Sequence, residues 1–225
     1  MSNSKIYLDH NATSPLLPEV ENVMNEVAQQ AFANPSSPHW AGRNARFLLE
    51  EARDSLANSL GVKSQEILFT SGGTESNNTV LRQFLFISGK QHLITTAVEH
   101  PSVLETCRIL AGQSNIQSTE LVVDSSGKIE PEILLKALRP ETSLISVMTA
   151  NNETGNLQPI EELSKIAQEN KILFHTDLVQ AFGKKKLDLS LSGVNFASAT
   201  AHKLGGPCGI GLLFVKHGSV IQSLI

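Results

Sequence analysis

Lys203 stands where a lysine can do covalent chemistry. It lies between an apolar run over 194–201 and the glycine-rich segment Leu204-Gly205-Gly206-Pro207-Cys208-Gly209-Ile210-Gly211, and His202 precedes it. An ammonium held among short and apolar neighbours loses hydration, which favours the free amine that Schiff-base formation with a carbonyl requires. From this segment alone, an exposed lysine at a strand end reads equally well. Asp177 adds weight to the first reading. It follows the apolar run 172–174 in His175-Thr176-Asp177-Leu178-Val179-Gln180, and a carboxylate directly after a buried strand is unfavourable without a cation. A protonated pyridine nitrogen is one such cation. An acid on that nitrogen and an amine on the ring aldehyde are what a pyridoxal site uses. The plainer role for Asp177 is a helix cap.

Three further segments carry polar groups at strand ends. In Ser71-Gly72-Gly73-Thr74-Glu75-Ser76, two glycines allow close backbone approach, and Thr74 can cap a helix whose first N–H groups would hold a phosphate. No Gly-Lys-Ser/Thr follows, so this is not a nucleotide phosphate loop. In Val98-Glu99-His100-Pro101, Pro101 suits a first helical position. His100 before it can stack on a planar ring, move a proton, or simply sit at the surface. In Asn151-Asn152-Glu153-Thr154-Gly155, the amides must be satisfied either by the loop itself or by a ligand. The glycines at 205, 206, 209 and 211 lack the spacing of a dinucleotide fingerprint, and the lysine precedes them.

The elements that must position these groups alternate. A helix over 18–32 is followed by the irregular Asn34-Pro35-Ser36-Ser37-Pro38. A long helix then carries Ala45, Leu48, Leu49, Ala52, Leu56 and Leu60 three or four apart, with Gly61 as its stop. Strands are expected over 67–70, 92–95, 119–123, 144–149, 172–175, 196–199 and 211–215, with helices near 75–87, 101–111, 131–138 and 160–169. Apolar strands separated by helices predict an α/β fold: a mainly parallel seven-stranded sheet with helices on both faces and ligands at the strands' carboxyl ends. The 225 residues, 40% of them hydrophobic, suffice for such a core. The net charge of −4 offers no basic footprint for nucleic acid. No apolar run is long enough to span a bilayer, and the first residues lack a signal-peptide layout. Two cysteines, Cys107 and Cys208, indicate a reducing, cytoplasmic setting rather than a disulfide framework. Cys107 shares a helical face with Val103, Leu104 and Leu110 and reads as core.

Taken together, these segments resemble the cysteine desulfurases of the NifS/IscS type, within the class V aminotransferase group of pyridoxal-phosphate enzymes. The resemblance runs from Ile6-Tyr7-Leu8-Asp9-His10-Asn11-Ala12-Thr13 through Asn34-Pro35-Ser36-Ser37, Gly73-Thr74-Glu75-Ser76 and Asn151-Asn152-Glu153-Thr154-Gly155 to His202-Lys203 and the final strand. It implies a fold type I large domain over 16–225 preceded by an N-terminal arm over 1–15. It also implies pyridoxal 5'-phosphate attached to Lys203, which would later move the substrate α-proton. Asp177 would pair with the pyridinium nitrogen, and Gln180 would hydrogen-bond the ring oxygen. Asn152 would lie near that oxygen and the substrate, with Asn34 also toward the substrate. His100 would stack on the ring and exchange a proton with substrate. Thr74, Thr200, His202 and the Gly73 backbone would hold the phosphate.

The reaction the resemblance implies takes sulfur from L-cysteine, releases L-alanine and leaves a persulfide on an enzyme cysteine. A homodimer and a sulfur-accepting protein, an iron–sulfur scaffold or a tRNA-thiolation protein, are the implied partners. Another class V enzyme, such as an aminotransferase or selenocysteine lyase, is the alternative, as is a non-catalytic paralogue. Thr200 stands where relatives often have serine, Leu178-Val179 where an alanine-containing pair is usual, and Cys208 where lysine is common. The chain stops at Ile225, where relatives continue for well over a hundred residues. The C-terminal small domain, its substrate-binding arginine and its sulfur-accepting cysteine are thus expected to be absent. Cys208, five positions after Lys203, is then a candidate acceptor thiolate near the cofactor, or a small residue filling a tight turn.

Overall fold

The computed structural model describes residues 5–113, 115–190 and 192–222. Chain order runs α1 (Pro18–Gln30), α2 (Trp40–Leu60), β1 (Ile67–Thr70), α3 (Gly73–Arg82), β2 (Gln91–Thr96), α4 (Pro101–Ala111), β3 (Ile116–Leu121), α5 (Pro131–Ala137) and β4 (Thr142–Ser146). It continues with α6 (Ile160–Glu169), β5 (Leu173–Asp177), β6 (Phe196–Thr200) and β7 (Gly211–Val215). The strands form one sheet in the order β1-β7-β6-β5-β4-β2-β3. The five strands from β6 to β3 pair in parallel, while β7 runs antiparallel to both β1 and β6. The expected mainly parallel, seven-stranded sheet is what forms.

Period-two alternation divides two cores between the sheet faces. Leu93, Leu144, Phe196 and Leu213 pack with Val80, Leu81 and Phe84 and with Val103, Cys107 and Leu110 of α4. Their neighbours Ile94, Ile145, Ala197 and Phe214 pack with Ala57 and Leu60 of α2, Leu134 of α5, and Leu163 and Ala167 of α6. Each central strand is therefore apolar on both sides, which is why these runs read as continuous rather than alternating. Cys107 is core, as its helical spacing indicates. Burial, and secondarily the Glu99 charge, push its thiol up to about 12.

Element ends shift where hydrogen bonding rather than apolarity decides. β4 stops at Ser146, although the apolar run continues to Met148. Past that point Val147 and Thr149 donate N–H bonds to the β5 carbonyls of His175 and Asp177, but the ladder to β2 has ended. β3 begins at Ile116 instead of 119, and α1 ends at Gln30. The helix expected over 75–87 begins at Gly73, ends at Arg82 and tightens into a 3-10 turn over Gln83–Phe86. Gly61, at φ 70°, terminates α2 in the left-handed conformation that favours glycine.

Candidate functional site

A cavity of about 410 Å³ opens at the carboxyl ends of the parallel strands, within the range of small-ligand sites. Gly73, Thr74, His100, Asn152, Asp177, Gln180, Thr200, His202 and Lys203 all line it. Nine residues drawn from five separate loops and strand ends thus meet at one place. Asn34 and Cys208 are not among its lining residues. Asn34 is committed locally: its side-chain oxygen accepts from the Ser36 N–H at 2.9 Å. Cys208 is exposed.

Asp177 ends β5 on the cavity floor and is buried. Its Oδ2 accepts from Asn77 Nδ2 at 2.8 Å and its Oδ1 from the Val179 N–H at 2.8 Å. Among the described residues it forms no ion pair. Burial raises its pKa above the ordinary carboxylate value, against the hydrogen bonds and the charges of His100 and Lys203 that favour ionisation. A buried acid held by two donors, facing a cavity and lacking a cation, is an arrangement a protonated ring nitrogen would complete. The donor set fits the implied cofactor.

Lys203 ends a short 3-10 turn that follows β6. Its Nζ donates to the carbonyls of Asn11 at 2.6 Å and Ala12 at 2.5 Å, so the N-terminal segment lies against the amine. Desolvation, then the Lys184 charge, lower its pKa from the usual lysine range, with Asp9 and Asp177 opposing. The desolvation argued from sequence is present. The same segment receives Gln180, whose Nε2 donates to the Asn11 carbonyl at 2.9 Å. Ser14 ties it to the loop after Lys203: the Ser14 hydroxyl donates to the His202 carbonyl at 2.8 Å and accepts from the Gly205 N–H at 2.6 Å. Gly205 adopts φ 78°, and a Cβ there would lie 2.4 Å from Leu17 Cγ, so this close approach requires glycine.

At the other end of the cavity, α3 begins at Gly73 with Gly72 as its N-cap, so Thr74 sits inside the first turn. Gly72 has no side chain to cap the helix. Thr74 lines the cavity and does not take the capping position expected of it. Thr200 Oγ1 bonds His202 Nδ1 at 3.1 Å beside this helix start. Burial, then the Lys203 charge, lower the His202 pKa. Open N–H groups of a helix start, two hydroxyls and an imidazole suit a phosphate. Gly211 makes this packing possible: a Cβ on it would lie 2.5 Å from Gly72 Cα.

The amide pair divides its work. Asn151 satisfies the loop, donating to the Val98 carbonyl at 3.0 Å and accepting from the N–H groups of Glu153 and Thr154. Asn152 lines the cavity, its amide donating to Glu153. Both amides thus find partners within the loop, and Asn152 alone of the two also lines the cavity. His100 is the N-cap of α4, its Nδ1 accepting from the Ser102 N–H.

The cavity also contains groups that the sequence reading did not single out: Leu8, Asp9, Asn11, Ala12, Asn77 and Ser102. The N-terminal residues belong to no helix or strand, so periodicity offered no sign of where they fold. Asn77 had a signal. It lies three residues after Thr74 on a helix, hence on the same face, and is followed at the same spacing by buried Val80.

Comparison with known proteins places the chain in a family. The family described as Aminotransferase class-V matches residues 6–223. The chain is 48% identical over 223 residues to the cysteine desulfurase IscS of Dictyoglomus turgidum, covering 98% of this chain and 56% of that protein. It is 41% identical to the cysteine desulfurase IscS of Methanosarcina thermophila, covering 99% of this chain and 55% of that one. It thus spans little more than half the length of these relatives. Among solved structures, SspA in complex with cysteine superposes with a TM-score of 0.94 at 37% identity, covering 98% of this chain and 65% of that one. A NifS-like protein superposes with a TM-score of 0.94 at 38% identity, with 99% and 62% covered. The chain belongs to the class V aminotransferases, a family of pyridoxal-phosphate-dependent proteins.

Proposed function

We propose that this chain carries the cofactor-binding part of a cysteine desulfurase, with pyridoxal 5'-phosphate as cofactor and L-cysteine as substrate. The carrying observation is Asp177, buried without an ion-pair partner among the described residues, on the floor of a cavity that also contains a partly desolvated Lys203. When bound, the cofactor supplies an electron sink for the substrate's α-carbon. The Lys203 amine would attach it and would move the α-proton. Asp177 would hold a proton on the ring nitrogen through its carboxylate, while Asn77 and the Val179 N–H keep that carboxylate oriented. Gln180 and Asn152 would offer amides to the ring oxygen. Thr74, Thr200, His202 and the Gly73 backbone would hold the phosphate. His100 would lie against the ring and meet the substrate.

The sulfur leaves as a persulfide on an enzyme cysteine. On this chain, exposed Cys208 is the candidate acceptor. The relatives named cysteine desulfurase support the reaction, and the cysteine complex of a 37% identical protein supports the substrate. A homodimer, a sulfur-accepting partner such as an iron–sulfur scaffold or tRNA-thiolation protein, and an N-terminal arm over 1–15 distinct from the domain over 16–225 belong to the same reading. The test is incubation of the purified chain with pyridoxal 5'-phosphate and L-cysteine. Alanine should form together with protein-bound persulfide, and Cys208→Ser should lose the persulfide. Cofactor binding with no alanine from any amount of L-cysteine would refute desulfurase activity for this chain.

A further inference from the structure

His100 Nδ1 is engaged by two groups of the same residue: the Ser102 N–H at 3.1 Å and the Ser102 hydroxyl at 2.8 Å. A main-chain N–H can only donate, so Nδ1 must be an acceptor and must lack a hydrogen. Asn77 holds the hydroxyl oxygen from the other side. One hydrogen of its Nδ2 goes to Asp177 Oδ2 at 2.8 Å and the other to Ser102 Oγ at 2.9 Å. Turning the amide over would set its oxygen against a carboxylate oxygen. Asn77 Oδ1 is buried without a partner among the described residues, so this amide forgoes an acceptor bond to donate twice. Because Nδ1 carries no hydrogen, its contact with the Ser102 hydroxyl is made by the hydroxyl's hydrogen, while Asn77 donates to one of the two lone pairs of the same oxygen.

We propose that Ser102 and Asn77 are positioning residues that fix neutral His100 as the Nε2–H tautomer, so that the imidazole offers the cavity a hydrogen-bond donor. The chain Asp177–Asn77–Ser102–His100 joins the acid on the cavity floor to the imidazole at its rim. Accepting a proton at Nε2 would require Nδ1 to carry a hydrogen facing the Ser102 N–H, breaking the contact that caps α4. His100 is thus set to donate to an anionic group, such as a substrate sulfur or carboxylate, rather than to take a proton from it.

The role of that donor in catalysis rests on the desulfurase reading, but the tautomer does not. The experiment is ¹⁵N–¹H correlation of the histidine rings in the cofactor-free chain, at a pH where His100 is neutral, for the wild type, Ser102→Ala, Ser102→Thr and Asn77→Ala. The wild type should show His100 with its hydrogen on Nε2 alone. Loss of the hydroxyl in Ser102→Ala should lower the Nε2–H to Nδ1–H ratio about fivefold, the factor set by one hydrogen bond. Asn77→Ala should lower it less, and Ser102→Thr should restore it. A wild-type His100 with hydrogen on Nδ1, or a ratio unchanged in Ser102→Ala, overturns the proposal. If Ser102→Ala does not fold, the wild-type spectrum with Asn77→Ala decides. Cofactor uptake is followed separately by visible absorbance: its absence alongside a fixed tautomer would count against the function and leave this assignment standing.

Discussion

Glu99 is the buried acid next to the site, and replacing it with glutamine makes a quantitative test of the fold's electrostatics. Its Oε1 accepts from Thr96 Oγ1 and from the Met148 N–H, both at 2.8 Å, and so ties the end of β2 to the segment after β4. Burial, against those two hydrogen bonds, pushes its pKa from 4.5 up to about 8. Across that window the folded chain keeps a proton that the unfolded chain has released, so stability falls as pH rises. Two buried histidines act in the opposite direction below 6.5. His92, lowered to about 4, and His175, lowered to about 3, refuse protons that the unfolded chain binds. Above 6.5 these histidines are neutral in both states. Between pH 6.5 and 8, Glu99 should therefore remove about 2 kcal/mol, from about 1.5 pH units at about 1.4 kcal/mol each. Glu99→Gln keeps the acceptor oxygen and the shape but cannot ionise. Urea unfolding of both proteins at pH 6.5 and pH 8 should show the wild type losing roughly that much more stability than the variant. Equal losses in the two proteins would refute a neutral buried Glu99.

Phe174→Ala removes a fully buried ring from the core under α2 and α6, and should lower unfolding free energy by about 3–5 kcal/mol in a denaturant titration. Asp177→Asn keeps the shape but removes the charge, and should weaken pyridoxal 5'-phosphate binding by roughly 10- to 100-fold, the scale of one charge-assisted hydrogen bond, when followed by absorbance. Gly211→Ala would set a methyl 2.5 Å from Gly72 Cα and 2.6 Å from Thr70 Oγ1. It should displace the start of α3 and weaken inorganic phosphate competition for the site, with a smaller effect on ring absorbance.

The fold was legible wherever apolar runs were long. β2, β5, β6 and β7 fall within a residue or two of the expected positions because their burial on both faces leaves a continuous apolar signature. Boundaries failed where apolarity outlasts the ladder, as at Val147 and Met148, which are buried but lie beyond β4. The cavity was legible through its strand-end groups, since a polar residue directly after a buried strand needs a partner. Lys203, Asp177, Asn152 and His100 all carried that mark and all line the cavity. What the sequence concealed depends on long-range backbone contacts. The carbonyls of Asn11 and Ala12, which receive Lys203 across 192 and 191 positions, belong to no helix or strand. The inward turn of Asn77 was hidden differently, because its asparagine neighbour at 78 is equally polar and only the helix register separates them. Cys208 looked close to Lys203 along the chain, yet the turn carries it to the surface.

The attachment of the cofactor at Lys203 is the central claim, and borohydride reduction of the chain loaded with pyridoxal 5'-phosphate tests it most directly. Peptide mapping by mass spectrometry should place a single phosphopyridoxyl group on Lys203, with the visible absorbance of the loaded protein lost in Lys203→Ala. A label on Lys184, Lys185 or Lys186 with Lys203 unmodified, or no label at any lysine, would contradict it.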